Sequence, residues 1–271
     1  MNSTIRHLHG HTTETVGRST VVVLHAHPDD EAIFTGATIR ALADAGHRVV
    51  LVTATTGGAG VPRVDLGGRT LQQQRVQELE AAADLLGVAR LVVLGYGDSG
   101  AHRGPWNPGT LGAADAGTVA ARLAHLIEAE SADALVHYDS RGIYGHVDHV
   151  QVHRIGAAAL ERTGITGYEA TVDTARLRSG PRHVLHGAAG DAEVGLPGRW
   201  IDLAVTATAD QLAVKHAAMA AHASQIGPEW LAPASFAAAY ATEWFVRRGP
   251  AGVLDRLVAD TLTHQREVLH A

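Results

Sequence analysis

Thr20-Val21-Val22-Val23-Leu24-His25 runs directly into Ala26-His27-Pro28-Asp29-Asp30-Glu31. The first six residues are mostly β-branched and apolar without alternation, the composition of a strand buried on both faces of a parallel sheet. The next stretch is its chemical opposite: His27 to Glu31 places one imidazole and three carboxylates in five residues. Glu31 to Ala45 then shows helical spacing, with Gly46 as a stop. A strand that hands a polar turn to a helix opens a βαβ unit. The same alternation continues outward. Arg48–Thr53, Arg90–Leu94 and Ala134–His137 read as strands, and Arg69–Leu86, Ala116–Ala129 and Val147–Leu160 as helices. This predicts an α/β fold with a Rossmann-like, mostly parallel sheet and helices on both faces. Beyond Gly164 the pattern weakens into a C-terminal extension. There Thr166–Val172 reads as a strand, Val184–Leu203 as short strands, Ala209–His222 as a helix, and Ser224–Phe245 as a segment folded back over the site or core. The expected organisation is a flexible N-terminal arm over 1–18 and a single domain over 19–271.

Ligands of such sheets sit beyond the carboxyl ends of the strands. The polar clusters lie at those ends: Ala26–Glu31, Gly95–Gly100 and Tyr138–His149. Buried carboxylates are costly unless paired or bound to a cation. Pro28 stiffens the turn. His27 and Asp30, three residues apart, can face one ion, with Asp29 aimed at the space beside it. A helix cap would explain one aspartate and leave the others unexplained. The second cluster contains Tyr144-Gly145-His146-Val147-Asp148-His149, with His153 four residues on. His146 and His149 share a helical face, as do His149 and His153.

Together the two stretches resemble the signature of the LmbE-like N-deacetylases, a family that includes the GlcNAc-phosphatidylinositol de-N-acetylases (PIG-L) and mycothiol-pathway deacetylases. The first family motif, A-H-P-D-D-E, is matched in full by Ala26 to Glu31. The second, G-H-P-D-H, is matched by Gly145 to His149 except that Val147 replaces proline. The resemblance spans about residues 20–160. It implies a metal held by His27, Asp30 and His149. It implies Asp29 as general base, and His146 as the group that steadies the oxyanion and helps protonate the departing amine. Tyr144 sits where some relatives have a mobile active-site tyrosine. Arg75 and Asp98 are placed like residues that hold sugar hydroxyls in sugar-specific relatives.

Elementary chemistry agrees with these roles. Two imidazoles and one carboxylate make a three-ligand site with open positions, the pattern of a catalytic zinc; the same set suits ferrous iron. Such an ion acidifies water and polarises an amide carbonyl, and a neighbouring carboxylate can take the proton. The expected function is hydrolysis of the N-acetyl group of an amino-sugar-containing small molecule. Hydrolysis of a non-sugar amide or thiol conjugate, and a non-catalytic metal-binding role, are the alternatives.

The remaining features narrow the choice. Gly95-Tyr96-Gly97-Asp98-Ser99-Gly100 fits the dinucleotide fingerprint, but Gly104, Pro105, Pro108 and Gly109 follow where a helix should begin. Gly57-Gly58-Ala59-Gly60 reads as a flexible loop or a ligand cradle. No G-x-S-x-G elbow supports a serine hydrolase. The 271 residues contain no cysteine, which excludes disulfides and thiolate chemistry. At 46% hydrophobic residues and a net charge of −6, the chain can bury a large core and has no general attraction for nucleic acid or anionic membranes. No stretch approaches the ~20 apolar residues of a membrane span, and Met1–Arg18 lacks the apolar run of a signal peptide. A cytoplasmic protein is expected, and a homo-oligomer is compatible with it. His7, His9 and His11 in the arm can scavenge metal but read as part of a polar tail.

Overall fold

In the computed structural model, the strands form one eight-stranded sheet in the order β1-β4-β3-β2-β5-β6-β8-β7. They are β1 (Thr4–His7), β2 (Thr20–His25), β3 (Arg48–Thr55), β4 (Arg90–Tyr96), β5 (Ala134–Tyr138), β6 (Thr166–Thr171), β7 (Leu203–Thr206) and β8 (Thr242–Arg248). The structure describes residues 4–7, 17–101, 104–189 and 193–270, with 4–7, 233 and 262–270 as backbone only. The five central strands, β4-β3-β2-β5-β6, are mutually parallel. β1 pairs antiparallel with β4, β8 with β6, and β7 with β8. The chain starts its winding at β2, goes outward to β3 and β4, and returns to β5 on the other side. The reversal of direction therefore falls between β2 and β5, where open α/β sheets present a crevice.

Helices α1 (Asp30–Phe34), α2 (Gly36–Asp44), α3 (Leu71–Leu86), α4 (Ala116–Ala129), α5 (Gly142–Gly145) and α6 (Val147–Thr163) connect the parallel strands. Beyond β6 lie α7 (Thr174–Ser179), α8 (Leu185–Ala188), α9 (Ala209–Ala221), α10 (Pro233–Tyr240) and α11 (Val253–His270). Among the described residues, no helix is long and apolar enough to cross a membrane.

The expected fold class is the observed one, and the departures have physical causes. Within the stretch expected to be an arm, Thr4–His7 pair with Arg90–Val93 as an edge strand. The side chains of His7, His9 and His11 lie outside the described residues. The helix expected over Glu31–Ala45 breaks at Thr35, whose φ of −139° is not helical. The Thr35 hydroxyl donates to Glu31 O at 3.2 Å and accepts from His25 Nε2 at 2.7 Å. Among the described residues, the stretch Val184–Leu203, expected to hold short strands, forms α8, a 3-10 turn at Gly198–Trp200 and a bridge from Leu196 to Asp173 before β7 begins at Leu203. Ser224–Phe245 reaches both destinations: Gln225, Ile226 and Trp230 line the cavity described below, while Phe245 on β8 is fully buried.

One polar cluster ties this C-terminal part to the N-terminal half. Glu243 on β8 accepts the N–H groups of Ala37 and Thr38, each at 2.8 Å, and the Thr38 hydroxyl at 2.6 Å. Its Oε1 also takes Lys215 Nζ of α9 at 2.6 Å. Lys215 is 1% exposed and Glu243 3%. A carboxylate at the first turn of α2 satisfies orphan donors and meets the positive end of the helix dipole.

His137 on β5 is buried, with neither ring nitrogen partnered. Gly156 of α6 packs so tightly on the ring that a Cβ there would come within 2.4 Å. Burial, then the nearby His153 and Arg248, push His137 down to about 3. The folded value lies below the unfolded one, so this stability is present above pH ~6.5 and drains away as pH falls toward 3. Between pH 7 and 5 the loss is about 2 kcal/mol. Melting curves of His137→Leu should therefore fall less steeply across that interval than those of the parent. Buried His183, also pushed down to about 3, keeps part of the slope. Parallel slopes would show that His137 does not titrate on unfolding.

Candidate active site

The carboxyl ends of β2 and β5 supply the two halves of a site at the reversal point. His27 Nδ1, Asp30 Oδ2 and His149 Nε2 form a triangle with edges of 3.5, 3.3 and 3.3 Å. Tetrahedral ligands about 2.0–2.1 Å from zinc lie about 3.3–3.4 Å apart, so the three atoms fit one face of such a polyhedron. His146 also belongs to the group: His27, His146 and His149 offer ligand atoms within 4.8 Å of one another.

Each member is oriented by a neighbour. His27 Nε2 faces Asp148 Oδ2 at 3.1 Å and Asp98 Oδ1 at 3.6 Å, which leaves the Nδ1 lone pair for the triangle. Asp148 is itself fixed by the Ser99 N–H at 2.9 Å and the Ser99 hydroxyl at 2.5 Å. Asp30 Oδ2 accepts the His27 N–H at 2.8 Å. The His149 ring stacks on Tyr138 at 4.6 Å and 20°. Tyr138 in turn bonds His25 Nδ1 at 2.8 Å. Burial holds His25 down to about 4, so a neutral ring relays this contact to Thr35. His149 Nδ1 is buried without a partner.

Asp30, Asp98 and Asp148 converge on His27, at 3.5, 3.6 and 3.1 Å. Burial raises Asp30, but His149 and His27 outweigh it and hold the carboxyl well below its ordinary value. Burial lowers His27, but its bonds to Asp148, Asp30 and Asp98 outweigh that and raise it well above 6.5. Asp98 is held low in the same way, by His27 against burial. Asp29 differs: burial pushes it up to about 6 against the pull of Arg75. His146 goes the other way, down to about 4, by burial and then by the neighbouring His27 and His149. Its Nδ1 accepts the Asp148 N–H at 3.2 Å, so the neutral ring carries its proton on Nε2.

The sequence-predicted residues all meet here. Tyr144 OH lies 3.4 Å from His149 Nε2. It follows Ile143, a buried β-branched residue at φ 67° whose N–H is fixed by Asp139 Oδ1 at 2.9 Å. Arg75 is buried and directs its donors at the protein: Pro28 O at 2.5 Å, Gly57 O at 2.9 Å and Asp29 Oδ2 at 3.1 Å. Gly57 explains itself on this geometry. Its φ is 66°, and a Cβ there would meet the Arg75 guanidinium at 2.5 Å. Asp98 Oδ1 accepts the Gly100 N–H at 2.8 Å and Oδ2 the Ala59 N–H at 3.3 Å. The glycine fingerprint around it opens no helix, only a loop that passes the site. A cavity of about 470 Å³ rises over these residues, with Leu185, Gln225, Ile226 and Trp230 on its outer wall. Three supporting residues lie outside the sequence-predicted set. Asp148 lies inside the second motif, where its buried charge was a usable signal. Tyr138 and His222 carry no local signal.

A sheet reversal that presents imidazoles and carboxylates around one open cavity is the architecture of an α/β metallohydrolase. Residues 22–160 match the family PIG-L: GlcNAc-PI de-N-acetylase, and the chain belongs to that family. A 1D-myo-inositol 2-acetamido-2-deoxy-alpha-D-glucopyranoside deacetylase from Salinispora arenicola is 37% identical over 233 residues, covering 76% of each chain. The fold is shared with the N,N'-diacetylchitobiose deacetylase of Pyrococcus horikoshii at TM-score 0.58 and 22% identity, over 86% of this chain and 84% of that one. It is shared equally with a 4-carboxy-2-hydroxymuconate hydratase from Pseudomonas putida at TM-score 0.57 and 17% identity, over 87% of this chain and 98% of that one. The fold alone therefore does not select the reaction.

Proposed function

We propose that this protein is a zinc-dependent de-N-acetylase that acts on the N-acetylated amino sugar of a small glycoside. The observation that carries the reading is the triangle of His27 Nδ1, Asp30 Oδ2 and His149 Nε2, with edges suited to one tetrahedral ion. The substrate class rests on the similarity to the Salinispora deacetylase and on a cavity large enough for a disaccharide-sized ligand. Ferrous iron fits the same donors.

A divalent cation in this triangle supplies acidified water and a polarised amide carbonyl. The chain's own residues do the rest. Asp29, half-buried and raised to about 6, takes a proton from water and becomes a carboxylic acid. Arg75 keeps its carboxylate in place at 3.1 Å. His146 is neutral at rest and offers Nε2–H, so it steadies a developing oxyanion as a dipole without adding charge. The Tyr144 hydroxyl, 3.4 Å from His149 Nε2, is a second donor. Protonated Asp29 can then deliver its proton to the departing nitrogen, yielding a free amine and acetate.

The experiment is elemental analysis paired with acetate release. The parent should carry about one zinc or iron per chain and release acetate from 1D-myo-inositol 2-acetamido-2-deoxy-alpha-D-glucopyranoside. Asp30→Ala should lose both properties. Metal retained equally by Asp30→Ala would overturn the ligand set. A metal-loaded parent that hydrolyses simple amides but no amino sugar would move the substrate to the non-sugar class.

A further inference from the structure

Asp29 is held in a left-handed conformation that residues with a Cβ seldom adopt, aspartate more readily than most. Its φ is 117° and ψ −29°, in the left-handed half of the map. It stands at the N-cap of α1, yet its side chain makes no capping bond. An N-cap aspartate normally turns its carboxylate back onto the N–H groups of the first turn. Here the left-handed turn swings the carboxylate toward Arg75 and the cavity instead. Something must hold that turn against its own preference.

The restraint is visible. The Asp29 N–H donates to Glu31 Oε2 at 3.0 Å. The other oxygen, Glu31 Oε1, accepts from His222 Nε2 at 2.5 Å. Glu31 and His222 are both fully buried. His222 sits at the C-cap of α9, 191 residues from its partner. Burial opposes charge on each, but the mutual attraction outweighs it, lowering Glu31 and raising His222. The pair is therefore a charged strut with one free task, the Asp29 N–H. A buried ion pair is a poor source of stability compared with apolar packing, which directs attention to geometry.

We propose that Glu31 and His222 are positioning residues for the hydrolysis, holding Asp29 in its left-handed turn so that its carboxylate faces the cavity beside Arg75. The proposal rests on the reading of Asp29 as the base. It also links the cavity wall to the base, because the carbonyl of His222 accepts the N–H groups of Gln225 at 2.9 Å and Ile226 at 2.8 Å.

The test is a kinetic cycle on the metal-loaded enzyme. Glu31→Leu should lower kcat about 10–100-fold, with KM within about threefold and metal content kept. Glu31→Gln should recover most of that loss, because its amide oxygen still accepts the Asp29 N–H. In the Asp29→Asn background, Glu31→Leu should cost less than about twofold, since a residue acting through another loses its effect when the other is gone. Equal costs in both backgrounds, or no recovery by glutamine, overturn the positioning role. Parental turnover by Asp29→Asn alone overturns the base assignment itself, and this proposal with it. If Glu31→Leu does not fold, His222→Leu in the same cycle gives the same decision.

Discussion

Replacing Asp29 by Asn lowers kcat by about 10²–10⁴-fold and leaves the metal content of the protein unchanged. The substitution keeps the side-chain volume and an oxygen for Arg75, so it isolates proton acceptance from packing. Asp29 is outside the proposed ligand triangle, which is why the ion should stay. Its carboxyl is the one in the site whose proton affinity burial raises to about 6, while Asp30 and Asp98 are held low by the imidazoles. A group at about 6 can take a proton and give it back near neutral pH; one far below cannot. Stopped-time assays of released acetate, beside elemental analysis of the same preparation, check both halves. Turnover within threefold of the parent would remove Asp29 from the mechanism.

The largest loss of stability should follow Glu243→Ala, at about 3–5 kcal/mol. The variant strands Lys215 Nζ in a site where the lysine is 1% exposed. It also leaves the N–H groups of Ala37 and Thr38 without their acceptor. Both mechanisms are among the few that produce large single-site effects. For a chain of this size the melting temperature should drop by roughly 6–20 °C. Glu243→Gln should fall between the two, since it still accepts from the helix but no longer neutralises the lysine. Differential scanning calorimetry decides it, and a drop below about 2 °C for the alanine variant would show that solvent replaces the carboxylate without cost.

Much of this architecture was readable because it is local. The run Thr20–His25 and its successors are short, β-branched and apolar without alternation, the composition of buried parallel strands. His27, Asp29 and Asp30 announced themselves because five adjacent residues held more charge than packing tolerates. What escaped is what depends on distant partners. β8 was absorbed into a segment with no assigned strand, because its identity comes from pairing with β6 and β7. Arg75, expected to hold a sugar hydroxyl, lines the cavity and also donates to Pro28, Gly57 and Asp29, contacts that only the fold supplies. His222 looks in sequence like the end of an alanine-rich helix, and only the fold brings it to Glu31.

That last contact bears on how the chain can be recombined. The ligand triangle and Asp29 all fall within residues 22–160, the stretch that matches the family. Leu185, Gln225, Ile226 and Trp230, which shape the outer cavity, all come later. The proposed reaction centre and the outer cavity wall are therefore built from separate stretches of the chain. His222 limits that separation. It lies beyond the family-matched stretch but grips Glu31 within it, so a chimera that swaps residues 165–271 for those of a relative needs a donor at this position to keep the Asp29 turn in place.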